Sequence, residues 1–282
     1  FDAKNQARFR ANYFYQRNAV SGVFRKIPTQ IPRFQDLTLP ASIGELTNMP
    51  WGLILVTGPT GSGKSTTIAS LIDKINEEKS GHIVTLEDPI EFVHQHKNCI
   101  VNQREIGADS QTYKDAMKYL LRQDPDYCLL GELRDHDTIE TALTIAETGH
   151  LVFATLHTNS AIQTINRIVS VFPAEHQDRI RVMLSFSLQG VISQRLLPSL
   201  QGGRVCCIEY LAMTPSIRNL IRENKLHQVE SMMQVGQDRS GMVTMNQSLI
   251  NLIIRRKIDM KIAFGASPNP EQLDQMLKKV GV

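Results

Sequence analysis

A glycine-rich segment with a lysine and a serine at fixed spacing is the part of this chain best suited to chemistry. It follows the apolar run 51–57 and matches the phosphate-binding pattern G-x-x-x-x-G-K-[ST]. Glycines let backbone N–H groups approach phosphate oxygens, lysine adds a positive charge, and a serine hydroxyl is a ligand for Mg²⁺. A coincidental glycine-rich turn is the alternative, which the strand before it and the helix after it disfavour. The predicted nucleotide-binding residues are Gly58, Pro59, Thr60, Gly61, Ser62, Gly63, Lys64, Ser65 and Thr66.

A glutamate at the end of a second apolar run could supply the acid that such a loop needs. Glu132 follows the run 127–131. Hydrolysis of a phosphate bond requires a partner that holds the metal or polarises the attacking water. If this run and the run 51–57 are neighbouring strands, Glu132 emerges beside Lys64. The alternative is an ordinary surface acid at a strand end.

Three further carboxylates lie within five residues after the predicted strand 82–87: Glu87, Asp88 and Glu91. Carboxylates this close repel one another, and Mg²⁺ or an arginine can offset the repulsion. We predict that Glu91 is the general base. Glu87 and Asp88 are expected to hold the metal, together with Ser65 and Glu132, or to position the loop.

Two histidines flank the apolar run 151–156. His157 follows its carboxyl end, where it could sense the γ-phosphate, whereas His150 precedes the run and suits a structural or subunit-contact role. A structural role is also the alternative for His157. Zinc is not expected, because no cysteine or third ligand has suitable spacing.

These segments are joined by an alternation of short apolar runs and amphipathic stretches, which predicts an α/β fold with a mostly parallel sheet and helices on both faces. Ligands bind at the carboxyl ends of the strands in such sheets. The predicted strands are 51–57, 82–87, 127–131, 151–155 and a pair around 194–197 and 204–213; the predicted helices are 64–78, 112–122, 137–147, 159–170 and 271–279.

Composition narrows the possible classes of protein. The chain has 282 residues, of which 41% are hydrophobic, and a formal net charge of +3. That charge is too small to indicate nucleic acid as the main partner. The four cysteines have no zinc-ligand spacing and are expected to be reduced thiols in the cytosol. No apolar run approaches the roughly 20 residues that span a bilayer.

The motifs resemble, in order, those of the secretion ATPase superfamily of type II secretion and type IV pili, and most closely its pilus retraction ATPases (the PilT family). The resemblance also includes 101–105 and extends over most of residues 8–265. Its four elements are the loop 58–66, the acidic segment 87–91, the run 129–132 and the segment around His157.

The most specific element is the run 214–223, which is similar to the A-I-R-N-L-I-R-E signature of retraction ATPases with Ser216 in place of the alanine. Extension and secretion ATPases of the superfamily usually carry two C-x-x-C pairs that bind zinc, and this chain has none. The resemblance therefore favours retraction.

The resemblance implies a RecA-like P-loop ATPase core that uses ATP and Mg²⁺, a PAS-like amino-terminal domain and a ring of six identical subunits. We assign residues 1–27 to the last strands of the PAS-like domain, whose first part precedes this chain, 28–36 to a linker and 37–282 to the ATPase domain with a helical carboxyl-terminal part. The implied partners are an inner-membrane pilus platform protein and an accessory retraction ATPase. The implied location is cytoplasmic, peripheral to the inner membrane.

The resemblance also suggests arginines that complete a neighbouring subunit's nucleotide site: Arg8, Arg10, Arg104 and Arg122. Ordinary surface charge is the alternative for each of them. Three other functions stay open: a pilus-extension or secretion ATPase, an accessory subunit with weak hydrolysis, and a RecA-like nucleic-acid translocase. Single-stranded DNA should stimulate ATP hydrolysis only in the translocase.

Overall fold

The computed structural model describes residues 8–235 and 240–281, and the strands of this part form two separate sheets. The strands are β1 (Arg8–Gln16), β2 (Ala19–Ile27), β3 (Gly52–Thr57), β4 (Gly81–Glu87), β5 (Cys99–Glu105), β6 (Tyr127–Glu132), β7 (Leu151–Leu156), β8 (Leu188–Pro198) and β9 (Arg204–Ala212). The helices are α1 (Ala41–Gly44), α2 (Lys64–Glu78), α3 (Tyr113–Leu120), α4 (His136–Glu147), α5 (Ala161–Ser170), α6 (Ala174–Ser187), α7 (Pro215–Arg222), α8 (Val229–Val235), α9 (Met245–Ile254), α10 (Met260–Ala266) and α11 (Pro270–Lys279).

The larger sheet has seven strands in the order β5-β4-β6-β7-β3-β8-β9. All neighbouring pairs are parallel except β8 and β9. The four adjacent strands β4, β6, β7 and β3 therefore end at the same edge. This edge gathers the acidic segment, Glu132, His157 and the glycine-rich loop, and the parallel order confirms the predicted α/β class.

Both faces of the sheet are covered by helices. Side chains alternate along β3, so that Leu53 and Leu55 join the core formed with α3 to α7, while Ile54 and Val56 join the core formed with α2. Every residue of β3 is buried. Burial on both faces explains why this strand is a continuous apolar run in the sequence.

Two strands differ from the expectations. The edge strand β5 was not predicted, because its apolar residues end at Val101 and its last four residues, 102–105, are polar or charged. Strand β8 begins at Leu188 and not near 194. Its polar residues interrupt the apolar pattern but are bonded in the interior: Ser193 Oγ lies 2.8 Å from Thr57 Oγ1, and Gln194 donates to Thr67 at 2.9 Å.

The smaller sheet is a hairpin of β1 and β2, whose two turn residues, Arg17 and Asn18, both have positive φ. Residues 1–7 lie outside the described residues. Strand β2 ends at Ile27, and the linker and domain boundaries proposed above stay predictions. Within 8–235 and 240–281, no helix combines the length and apolarity needed to cross a bilayer.

Candidate active site

The glycine-rich loop joins the end of β3 to the start of α2. Gly58, Gly61 and Gly63 all have positive φ, at 139°, 80° and 92°. Gly63 is the N-cap of α2 and no side chain caps the helix. The first N–H groups of a helix have no partner within it, and together with the helix dipole they favour an anion such as phosphate. The loop therefore has the features of a phosphate-binding loop.

Two glycines of this loop should differ in how much they tolerate alanine. In Gly61→Ala the new methyl group meets nothing within 4 Å. The only cost is that of a non-glycine residue in the left-handed backbone conformation, about 1–2 kcal/mol. In Gly58→Ala the methyl group also collides with the backbone carbonyl of Gln194, and such overpacking adds about 1–3 kcal/mol. We expect thermal unfolding to show a Tm several degrees lower for Gly58→Ala than for Gly61→Ala. Equal Tm values would contradict the described loop geometry.

Lys64 is buried at the first position of α2, with its ammonium group held against the loop. Its Nζ donates to the carbonyl oxygens of Gly58 at 2.7 Å and Pro59 at 3.1 Å. Burial lowers the pKa of Lys64, and the negative charges of Glu132 and Glu91 oppose that shift. The lysine is therefore placed beside the loop with carboxylates close enough to support its charge.

A row of alternating charged and polar groups runs from Lys64 across the edge of the sheet. His157 Nδ1 lies 3.4 Å from Lys64 Nζ, and His157 Nε2 lies 3.4 Å from Glu132 Oε1. The other carboxylate oxygen of Glu132 accepts from Arg134 Nε at 2.8 Å, and Arg134 Nη1 lies 3.7 Å from Asp88 Oδ2. Because an ammonium group can only donate, this arrangement suits the His157 tautomer whose proton is on Nε2.

An irregularity in β6 aims Glu132 at this row. Leu130 pairs with Ala154 in β7, but the next pair is Glu132 with Thr155, so Gly131 is an extra residue. Thr155 Oγ1 donates to the carbonyl oxygen of Gly131 at 2.8 Å. Such bulges redirect side chains near functional sites. The strand thereby extends one residue beyond the predicted end and includes Glu132.

The acidic segment after β4 places its three carboxylates differently. Glu87 is largely buried and accepts hydrogen bonds from Thr85 Oγ1 at 2.7 Å and Gln103 Nε2 at 3.1 Å. Asp88 is exposed beside Arg134, and Glu91 is exposed at the mouth of the site. Glu87 is thus held by the sheet, whereas Asp88 and Glu91 face ligands more freely.

Glu87 gives a testable dependence of stability on pH. Burial raises its pKa in the folded protein, against opposing hydrogen bonds from Thr85 and Gln103. The wild type therefore loses stability as the pH rises above the ordinary glutamate pKa and through the raised value. Without nucleotide and magnesium, we expect Glu87→Gln to raise Tm relative to the wild type more at pH 8 than at pH 4.

Glu77 provides the control, because its pKa is shifted in the opposite direction to that of Glu87. A hydrogen bond from Lys97 is the largest cause that lowers its pKa, so its contribution to stability is present at higher pH and lost as the pH falls through the lowered value. Glu77→Gln should lower Tm relative to the wild type more at pH 8 than at pH 4. If both variants shift in the same direction, the assignment for Glu87 is wrong.

A cavity of about 470 Å³ joins these groups. Ten of the predicted site residues line it, whereas the loop residues Gly58, Pro59, Ser62, Gly63 and Thr66 are not among its lining residues. Sequence analysis did not identify several charged and polar residues that also line it, among them Arg25, Tyr113, Arg134 and Asp135. The predicted residues that line it are Arg10, Thr60, Gly61, Lys64, Ser65, Glu87, Asp88, Glu91, Glu132 and His157.

Comparison with known proteins gives the family. Residues 34–202 match the family described as type II/IV secretion system protein. The chain is 49% identical to the type IV pilus retraction ATPase PilT of Pseudomonas aeruginosa over 96% of its own length and 78% of the relative's. It is also 49% identical to the twitching motility protein of Neisseria gonorrhoeae, over 97% of this chain and 73% of that protein. This chain belongs to the PilT family of type II/IV secretion ATPases.

Solved structures of the PilT family and its relatives agree with the fold. A crystal structure of the pilus retraction motor PilT with bound ADP superposes with a TM-score of 0.93 at 55% identity, covering 98% of this chain and 78% of that one. The ATPase DotB of Legionella pneumophila superposes with a TM-score of 0.81 at 29% identity, covering 91% and 71%. The family and the fold class predicted from the motifs are confirmed.

The arginines predicted from the PilT family resemblance lie in different places. Arg10 lines the cavity, and in the hairpin register it faces Arg25, which also lines it. Like charges directly opposite each other destabilise a hairpin, so an anion between them is favourable. The register set by the two-residue turn could have revealed Arg25. The side chain of Arg8 is outside the described part.

Arg104 and Arg122 lie outside the cavity. Arg104 Nη2 donates to the carbonyl oxygen of Asp109 at 3.2 Å, and the guanidinium of Arg122 lies 5.6 Å from the ring centre of Tyr119. Neither residue lines the cavity of its own chain. Their predicted action on a neighbouring subunit remains a prediction.

The residues of this PilT family site fit a nucleotide with Mg²⁺. Lys64, Arg10 and the uncapped start of α2 suit phosphate groups. Among the described residues, no group of three or more His, Cys, Asp or Glu side chains is arranged to hold a metal ion by itself. Mg²⁺ retains most of its water and takes further ligands from substrate phosphate, so one or two of the nearby oxygens, from Ser65 and Glu132 in particular, are sufficient.

Proposed function

We propose that this chain is an ATP-hydrolysing motor that drives retraction of type IV pili. The observation that carries the catalytic part is the charged row from Lys64 to Asp88, which lies along one cavity beside a phosphate-binding loop. Relatives named as a pilus retraction ATPase and a twitching motility protein, of which this chain covers 78% and 73%, support the direction of the motor.

In this proposal the loop residues 58–66 bind the phosphates and each acidic residue has a separate task. Lys64 and the N–H groups of the loop hold the β- and γ-phosphates. Ser65 and Glu132, with Asp88 and Glu87 nearby, would hold Mg²⁺, which neutralises developing phosphate charge when bound. Glu91 accepts a proton from the attacking water. The individual tasks of Glu87, Asp88 and Glu91 are part of the proposal.

His157 is suited to report the γ-phosphate to the acidic side of the site. Its ring contacts Lys64 with one nitrogen and Glu132 with the other. A phosphate that draws Lys64 away from its position would remove the donor to Nδ1 and so free the ring to turn. The consequence would be felt at Glu132, whose Oε1 lies 3.4 Å from Nε2.

The subunits are proposed to form a ring of six, in which arginines complete the sites. Arg10 and Arg25 close over the cavity from the hairpin of the same chain, and Arg104 and Arg122 would reach the site of a neighbour. Hydrolysis would then change the angle between the hairpin-containing segment, assigned to 1–27, and the ATPase domain, assigned to 37–282, about the linker 28–36.

The proposed partners are the inner-membrane pilus platform protein and an accessory retraction ATPase, with the motor at the cytoplasmic face of the inner membrane. Helix α7, which contains most of the retraction signature, packs against α6 through the buried Ile217 and Ile221. Its packing is that of an ordinary amphipathic helix. The proposal that it couples ATP hydrolysis to movement of the motor rests on the signature alone.

Size-exclusion chromatography combined with an ATPase assay, each with and without nucleotide, tests the enzyme and its assembly together. We expect ATP turnover by the purified chain alone and a six-subunit species in the presence of nucleotide. Turnover that requires a second motor protein would indicate the accessory subunit instead. Strong stimulation by single-stranded DNA would indicate a nucleic-acid translocase and contradict the proposal.

A further inference from the structure

Arg134 connects the two acidic segments of the site. It follows β6, in the connection to α4, and its side chain lies between Glu132 of β6 and Asp88 after β4. The Nε–H donates to Glu132 Oε2 at 2.8 Å, and Nη1 lies 3.7 Å from Asp88 Oδ2. Because β4 and β6 are adjacent parallel strands, one guanidinium reaches both carboxylates.

Arg134 and His157 together contact both oxygens of the Glu132 carboxylate. Arg134 occupies Glu132 Oε2, and His157 Nε2 lies 3.4 Å from Oε1. The hydrogen bond to Glu132 is the main cause that raises the pKa of Arg134, so the guanidinium stays charged at any working pH. Without this cation, two carboxylates at neighbouring strand ends would repel each other across the cavity.

Stability of the fold does not account for this arrangement. The side chain of Arg134 is 61% exposed, and its partners Glu132 and Asp88 are 29% and 54% exposed. Exposed ion pairs of this kind contribute little to folding, typically about 0–1 kcal/mol. Arg134 nevertheless lines the cavity, so its geometry bears on the site more than on the core.

We propose that Arg134 is a positioning residue that sets the orientation of the Glu132 carboxylate toward His157 and the phosphate-binding loop. This inference rests on the proposed ATPase function. Arg134 acts through Glu132 and does not take part in the proton transfer. Its fork geometry, which spans two carboxylates at once, is what a lysine at the same position lacks.

Steady-state ATP hydrolysis by three variants of the full chain tests the proposal. For Arg134→Gln we expect kcat to fall by about tenfold or more, the typical effect of a lost charge-assisted hydrogen bond, while KM for ATP changes by less than about threefold and Tm is unchanged. Arg134→Lys should give an intermediate kcat. Arg179→Gln is the matched control, because Arg179 is 58% exposed, pairs with Glu140 and lies outside the cavity; its kcat should equal that of the wild type.

Two results would overturn the inference. A kcat within twofold of the wild type for Arg134→Gln, as for the control, would show that Glu132 does not depend on Arg134. An increase in KM with unchanged kcat would show that Arg134 binds nucleotide instead of orienting Glu132. Failure of the proposed function is a separate result, since it would appear as the absence of wild-type turnover or as activity retained in Lys64→Ala.

Discussion

Replacing Lys64 with alanine is expected to reduce ATP turnover by about 10²–10³-fold or more. The side chain supplies a fixed positive charge beside the phosphate-binding loop, and removal of one such electrostatic group from a catalytic site typically has an effect of this size. The loss should appear in kcat/KM, because in the proposed function Lys64 holds the phosphates in both the bound and the reacting state. An ATPase assay on the purified variant measures it.

The fold should survive this substitution. Lys64 Nζ donates to two carbonyl oxygens of its own loop, and these can be hydrated once the side chain is removed. Lys74→Ala is the matched control, since Lys74 lies on the same helix, pairs with Glu78 and does not line the cavity. Near-wild-type turnover in Lys64→Ala, or equal losses in the two variants, would contradict the assignment of the loop.

Replacing Glu91 with glutamine is expected to lower kcat by about 10²–10⁴-fold, the contribution typical of a general base. Glutamine keeps the shape of the side chain but cannot accept the proton. Glu91 lines the cavity and contributes negative charge near Lys64. Because glutamine removes that negative charge, the substitution should not weaken binding of the anionic nucleotide. Single-turnover hydrolysis and equilibrium binding of a nucleotide separate the two effects.

The control for Glu91 is Glu147→Gln, at the exposed end of α4 and away from the cavity; it should turn over ATP as the wild type does. Glu132→Gln should also lose activity, but by weakening the interactions with His157 and Mg²⁺. If Glu91→Gln keeps more than half of the wild-type kcat, the base is another group and the proposed division of tasks is wrong.

The sequence alone was sufficient to predict the strands and the helix that carry this site, because each of them has a strong local sequence pattern. The helix predicted at 64–78 is Lys64–Glu78 in the structure, since a glycine precedes it and apolar residues recur on one face. The strand predicted at 51–57 is Gly52–Thr57, since a strand buried on both faces is a continuous apolar run. Parallel order then brings the motifs to one edge.

The precise placement of side chains required the structure. The extra residue Gly131, which turns Glu132 toward the cavity, depends on pairing between β6 and β7 that no local pattern reveals. No local pattern singles out Arg134 beside Glu132; only the order of β4 and β6 places Asp88 on its other side. In the sequence Glu87 and Asp88 are neighbouring carboxylates that cannot be told apart. In the structure Glu87 accepts a hydrogen bond from Gln103 of β5, the strand that was not predicted.

Surface piliation in a strain that lacks this chain tests the central proposal most directly. Electron microscopy of the deletion strain should show more surface pili than the parent, with twitching motility lost, because assembly continues without retraction. The wild-type gene should restore the parental state and Lys64→Ala should not. Loss of surface pili on deletion would show an extension motor and would contradict the proposed retraction function.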